Sequence, residues 1–429
     1  MNKYIFFWLL VFSTGKISFS QQNQTPVNFE QYIRQNIPDK EEINVFVNNS
    51  SWAKFDPDFG YILGNYMPHD GIDNSLTIST SKPDGTRTSF MYTGKPCRIN
   101  TYGDSFTQGH QVSDGETWQE YLAAHLGEPI RNFGMGGYGL YQSYRRMLRE
   151  EKTSNNAEYI MLYIWGDDHI RSLLRCRYML FKEWTRQHEG SEGVGIMFHG
   201  NFWANMEMNL ETGQFQENES RIRTEEQMKN MANPDWMVQN LKDDLALQMY
   251  LFKQRKISEV DLQKIQKLSN VLRVNIDFND TLNLHEKVSV LLDKHAFAAT
   301  KYILAKSKKF AEGNGKKVMI ILFDPYNAMS VLLKGGVRYD QEIVDFLQQN
   351  QFNYFDMNEV HVQDYKNFNL SVEDYYKRYF IGHYTPSGNH FFAYSIKDKV
   401  VSWLNPKPIT YRAEDKNKVD FKGYLDNLK

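Results

Sequence analysis

A chain of 429 residues, with 41% apolar and 24% charged residues, can bury a large core and is not a disordered polymer. Its formal net charge of −2 excludes a protein that relies on a basic surface to hold nucleic acid. Its two cysteines exclude a disulfide framework, and without Cys-x-x-Cys or His-Glu-x-x-His no metal and no other cofactor is expected.

In chain order, Met1–Ser20 has a lysine, an apolar run from Tyr4 to Phe12 and small residues at Ser18 and Ser20. This pattern predicts a signal peptide, too short to span a membrane, and therefore a secreted or periplasmic protein starting near Gln21. No later stretch has the length and apolarity of a transmembrane helix. In an exported protein Cys97 and Cys176 could pair, which spacing does not decide.

Residues 21–96 read as an N-terminal extension. Asn28–Asn36 suits a short helix, Asp56–Tyr61 is a turn, and Thr77–Thr80 with Thr86–Tyr92 around Lys82-Pro83-Asp84-Gly85 predicts a β-hairpin. Residues 97–404 alternate strand and helix. Short apolar runs predict strands at Cys97–Tyr102, Ile130–Phe133, Tyr159–Trp165, Val318–Phe323 and Phe352–Phe355. Helical patterns fall at Thr117–Leu126, Tyr141–Glu151, His285–Glu312, Gln341–Gln349 and before Leu404. Residues from about 169 to 285 break the alternation and read as a partly helical cap or subdomain. Residues 405–429 form a polar tail. The order predicts a three-layer α/β/α sandwich with a mainly parallel five-stranded sheet, binding ligands at the carboxyl ends of its strands.

The chemistry concentrates at those ends. Gly103-Asp104-Ser105 follows the first strand, and Thr107 in place of glycine excludes a Gly-x-Ser-x-Gly nucleophile elbow. Asn132–Tyr138, with Gly137, follows the second strand, Trp165-Gly166-Asp167-Asp168 follows the third, and His383-Tyr384-Thr385-Pro386-Ser387-Gly388 opens the last helix. In this order the four segments resemble the conserved blocks of the SGNH (GDSL-like) hydrolases and acyltransferases. The run from Gly103 to Trp118, with Gly109 and Glu116-Thr117-Trp118, is similar to a secreted branch of that family. The resemblance covers about Cys97 to Leu404 without the insertion.

A serine hydroxyl is a weak nucleophile until a base takes its proton, which gives Ser105 and His383 complementary tasks in attack on an ester. The resemblance implies that the oxyanion is held by the N–H groups of Ser105 and Gly137 and by a side chain at position 167. Two departures stand out. The family's acid before the histidine is replaced by Phe380 and Ile381, leaving Asp324, Asp356, Glu373, Asp374 or a backbone carbonyl as candidates to orient the imidazole, with Asp324 preferred. Asp167 replaces an asparagine, and an ionised carboxylate has no proton to donate. Arg171 and Arg175, four apart, are candidates for binding an anionic substrate, with pairing to nearby acids as the alternative. Gly134, Gly136 and Gly139 match a dinucleotide-binding pattern, but the next strand reaches its acidic end only at Asp167, later than the usual spacing of about 20 residues, and exported proteins rarely rely on NAD.

The resulting expectation is an exported serine esterase that hydrolyses acetyl or short acyl groups on a carbohydrate. Its partners would be a small-molecule or polysaccharide ester, with no nucleic acid. Transfer of the acyl group to a sugar hydroxyl, or a non-catalytic carbohydrate-binding descendant, are the alternatives.

Overall fold

Every side chain of Tyr159–Ile164 is buried. Tyr159, Met161 and Tyr163 enter one apolar core with Trp118, Leu122, Phe392 and Ile396. Ile160, Leu162 and Ile164 enter the opposite core with Leu140, Met147, Ile303 and Leu347. A strand covered on both faces has no position for a polar side chain, which explains its unbroken apolar sequence. The computed structural model describes residues 26–412 apart from 50, 182–185, 191–192 and 199. The segment 1–20 read as a signal peptide and the polar tail from 413 lie outside the described residues.

The central strands are β1 (Ile99–Tyr102), β2 (Ile130–Asn132), β3 (Tyr159–Ile164), β4 (Lys317–Leu322) and β5 (Tyr354–Asp356). They form one parallel sheet in the order β5-β4-β3-β1-β2. Helices α1 (Trp118–Leu126) and α5 (Pro386–Trp403) pack together on one face. Helices α2 (Leu140–Glu150), α3 (Leu284–Gly313) and α4 (Gln341–Gln349) cover the other. This is the expected three-layer α/β/α arrangement, with the strands in their expected places. The strand order reverses between β1 and β3, so the turns after these two strands open the crevice in which parallel sheets bind ligands.

The extension departs from expectation. Its expected helix is Phe29–Gln35, a second helix follows at Lys40–Asn48, and its antiparallel hairpin joins Ala53–Asp56 to Gly60–Leu63 through the Asp56 turn, where Asp56 Oδ1 accepts the N–H groups of Asp58 and Phe59. The predicted hairpin around Pro83 is present only as a short irregular one, with an isolated antiparallel bridge between Ser81 and Arg87 and backbone bonds from Lys82 N–H to Thr86 and from Thr88 N–H to Thr80. Side chains complete it: the Asp114 carboxylate accepts the Thr80 N–H at 3.1 and 3.0 Å and the Thr80 hydroxyl at 2.6 Å. Trp52 and Tyr61 of the extension are buried in the same core as Tyr138 and Trp203. The extension is thus built into the sheet's packing rather than laid on it.

The insertion contains helices at Pro234–Leu241, Leu245–Lys253 and Leu262–Val271, and also hairpins at Arg186–Gly190 with Gly193–Met197 and at Asn205–Met208 with Phe215–Asn218. Its Met237, Leu241 and Leu247 share one apolar cluster with Phe29, Ile33 and α3. Cys97 and Cys176 are separate thiols, with Sγ of Cys97 directed to the carbonyl of Ile99 and Sγ of Cys176 to that of Gly200. Among the described residues no helix is long and apolar enough to cross a membrane.

Candidate active site

Ser105 begins the short helix Ser105–Gln108 directly beyond β1. Asp104 caps it, accepting the N–H of Phe106 at 3.0 Å, which places the Ser105 side chain at the rim of the sheet. The Asp104 carboxyl is completely buried and pushed up to about 6 by loss of solvent, with Arg171 acting against the rise. The loop after β2 is drawn against this helix: Met135 N–H donates to the carbonyl of Gly103 at 3.0 Å, and Gly136 N–H to Oε1 of Gln108 at 2.7 Å.

His383 arrives 278 residues later, in the turn between Tyr379 and α5. Its Nε2 lies 2.7 Å from Ser105 Oγ. Thr385 caps α5, the carbonyl of Gly382 accepts from the Tyr326 hydroxyl, and the Phe106 ring packs 4.9 Å from the imidazole centroid. Burial, then His110, then Arg171 hold His383 well below the usual histidine value. Ser105 and His383, expected as nucleophile and base, are therefore within hydrogen-bonding reach of each other.

The partner at Nδ1 is Gln111, which the sequence reading missed. Its Oε1 lies 3.0 Å from Nδ1 and 2.9 Å from the backbone N of His383, and its Nε2 donates to the carbonyl of Asp70 at 3.0 Å. Gln111 takes a left-handed backbone, φ 67°, at a cost of roughly 1–2 kcal/mol for a side chain of this kind. Gly382 makes room for it: at φ 117° it carries no Cβ, and one added there would stand 2.8 Å from Gln111 Oε1. Beside Gln111, His110 meets the His383 ring edge-on at 4.9 Å, and its Nε2 is 3.6 Å from the Asp70 carboxylate. Gln111 lies within the motif-bearing run from Gly103 to Trp118, but nothing in that run marks its side chain as a partner of a distant histidine, and Asp70 lies 41 residues before it outside any motif.

Asp324 does not orient the imidazole, contrary to expectation. Its Oδ1 caps the turn at Pro325–Met329 by accepting the N–H groups of Tyr326 and Asn327, each at 2.9 Å, and its Oδ2 accepts from the Asn327 amide. The Asp-Pro pair serves the turn, as such pairs commonly do. Asp356 is held by Arg338, and Asp374 by Lys377 and Ser371.

Asp167 does not present a donor to an oxyanion. Its carboxylate pairs with Arg171, and Asp168 bonds the same guanidinium at 3.0 Å. Gly137 has φ 86°, and any Cβ there would overlap the Arg177 guanidinium. Among the described residues, no protein acceptor takes the N–H of Ser105 or of Gly137. Both remain backbone donors of the kind an oxyanion site requires.

Arg171 is buried beside the site, but its charge is committed to Asp167 and Asp168 while it also donates to the carbonyl of Tyr138. Arg175 belongs elsewhere. It pairs with Glu207 and Asp243 of the insertion, both at 2.5 Å, so it is not a substrate ligand. The helix ends at Arg171, which removes the shared face inferred from the spacing of the two arginines. His361 is a buried decoy: its ring nitrogens engage the hydroxyls of Tyr375 and Tyr384, and burial lowers it to about 3.

No family model matches this sequence, and no curated protein matches it. Among solved structures, the chain is similar to the crystal structure of a member of the lipolytic protein G-D-S-L family from Veillonella parvula DSM 2008. The two share 11% identity with a TM-score of 0.32, over 72% of this chain and all of the other.

Proposed function

We propose that this protein is an exported serine esterase that removes acetyl or short acyl groups from an ester-bearing carbohydrate. The reading rests on one observation: Ser105 Oγ and His383 Nε2, 278 residues apart in sequence, stand at 2.7 Å on the carboxyl edge of a parallel sheet. Export rests on the character of residues 1–20, the SGNH-like assignment on the four motif segments, and its secreted branch on the run from Gly103 to Trp118.

In the proposed reaction His383 takes the Ser105 proton as Oγ attacks the ester carbonyl, and the negative oxygen is met by the free N–H groups of Ser105 and Gly137. Collapse of the intermediate releases the alcohol, which receives the proton from His383. Water then repeats the sequence on the acyl-enzyme. Trp165 and Tyr326 form a partly exposed aromatic flank, backed by the buried Phe106, which packs against both His383 and Trp165. Such a surface suits a short acyl chain or the apolar face of a sugar ring.

The test is release of acid from p-nitrophenyl acetate and butyrate, together with labelling by a fluorophosphonate probe. Both should occur with the native protein and be lost in Ser105→Ala. Turnover undiminished in that variant would remove Ser105 from the reaction. Product analysis with an added sugar acceptor separates hydrolysis from acyl transfer.

A further inference from the structure

For a histidine to take a proton from serine, Nε2 must be bare and Nδ1 must carry the hydrogen. Something has to select that tautomer. Among the described residues no carboxylate contacts Nδ1 of His383, whose partner is the Gln111 amide.

The orientation of that amide is set from both ends. The backbone N–H of His383 can only donate, and it points at one Gln111 atom at 2.9 Å, so that atom is the oxygen. The carbonyl of Asp70 can only accept, and it lies 3.0 Å from the other atom, so that atom is the NH₂ nitrogen. An oxygen acceptor at Nδ1 requires Nδ1–H. The lone pair of Nε2 is then left facing Ser105 Oγ.

Resting on the esterase reading above, we propose that Gln111 is the positioning residue of this site, an uncharged amide that holds His383 in its Nδ1–H tautomer in place of an acid. The left-handed backbone at Gln111 and the missing Cβ at Gly382 fit this role, since both bring the amide up to the imidazole. During acylation the Ser105 proton passes to Nε2 as Oγ bonds to the carbonyl carbon and the carbonyl π pair moves to oxygen. When the ester C–O bond breaks, the same proton goes from Nε2 to the departing alkoxide. Gln111 neither gains nor loses a proton.

An amide steadies the imidazolium less than a carboxylate would, and the groups around His383 add nothing to offset this. His110 lies edge-on at 4.9 Å, with Asp70 beyond it, and Asp70 also accepts the Thr77 hydroxyl. Arg171 contributes positive field from the turn after β3, tempered by Asp167 and Asp168. Phe106 is apolar, and the Tyr326 hydroxyl is engaged by the carbonyl of Gly382. The site thus holds a base that stays neutral into mildly acidic solution.

The experiment compares full-length native protein with Gln111→Met, which has similar length and no acceptor, and Gln111→Glu, which supplies a charge. With p-nitrophenyl acetate, Gln111→Met should lower kcat by ~10²–10⁴-fold at nearly constant KM. Gln111→Glu should move the acidic limb of kcat/KM to higher pH. In the Ser105→Ala background, ¹⁵N spectra of histidine should show His383 protonated at Nδ1, and this signature should be lost on adding Gln111→Met. Should Gln111→Met fail to fold, the pH profile of Gln111→Glu carries the test. Full kcat in Gln111→Met, or an unmoved limb in Gln111→Glu, overturns the proposal while leaving a Ser105-dependent esterase intact. Conversely, a Gln111-dependent tautomer in a protein without ester turnover supports the positioning role and removes the esterase reading.

Discussion

Arg87 and Asp114 form an ion pair at 2.9 Å whose side chains are 1% and 4% exposed. The other guanidinium donors of Arg87 hold the carbonyls of Gln108, Gly109 and Val112 at 2.5–2.6 Å. A residue of the N-terminal extension therefore shapes the loop that carries His110 and Gln111 to His383. Asp114 in turn accepts from Thr80, so one buried charge pair ties the extension to the site.

Removing one member of a buried pair strands the other, at a typical cost of ~3–5 kcal/mol. Arg87→Met is expected to lower the unfolding free energy by about this much in a urea titration. Ester turnover in the surviving folded fraction should fall through kcat more than through KM, because the displaced loop holds the base rather than the substrate. A variant as stable as the native protein would show that the pair is dispensable.

Gly382→Ala places a methyl group 2.8 Å from Gln111 Oε1 at a backbone φ of 117°. The glycine-only conformation and the crowding both act on the His383 turn, so kcat is expected to drop by ~10²-fold from displaced geometry. Steady-state kinetics alongside a thermal melt would separate this from general unfolding.

At Gly137 the obstacle is the guanidinium of Arg177, with the Tyr61 hydroxyl 2.6 Å from where a Cβ would lie. Gly137→Ala should cost ~1–3 kcal/mol of stability from overpacking. The same change shifts a backbone donor, and loss of one such donor lowers kcat by ~10²–10³-fold. Chemical denaturation and acyl-ester kinetics read the two effects independently.

Asp324→Asn tests the acid chosen from the sequence. Because the asparagine oxygen can still cap the Pro325 turn, stability is expected to fall by less than ~1 kcal/mol, with kcat and the pH profile almost unchanged. A fall in kcat comparable to that of His383→Ala would return Asp324 to the mechanism.

The neutral imidazole is the working form, and burial, His110 and Arg171 all disfavour its protonation. Lowering the value for His383 moves the acidic limb of kcat/KM down, so turnover should persist below the ordinary histidine value of 6.5 and fail only as pH drops through the lowered one. His110→Phe removes one of the opposing groups and should shift the limb back upward. A limb at 6.5 in the native protein, unaffected by His110, would contradict this account.

Local sequence determined the layered architecture and the pair at its centre. The apolar run at 159–164 could lie only between two helical layers, and the glycine, serine and histidine motifs sit where strand ends or helix caps place them regardless of distant contacts. The partner of the imidazole was decided by tertiary structure alone. Gln111 becomes an acceptor because Arg87 bends its loop, Asp70 claims its NH₂ group and Gly382 leaves space, and these residues come from separate segments of the chain. Asp324 looked the better partner because charge can be read from sequence, whereas the turn that consumes its oxygens cannot. Arg171 and Arg175 divide along the same line: Asp167 and Asp168, which capture Arg171, lie beside it in sequence, so that pairing was legible, whereas the helix end and the distant Glu207 and Asp243 that capture Arg175 belong to the fold.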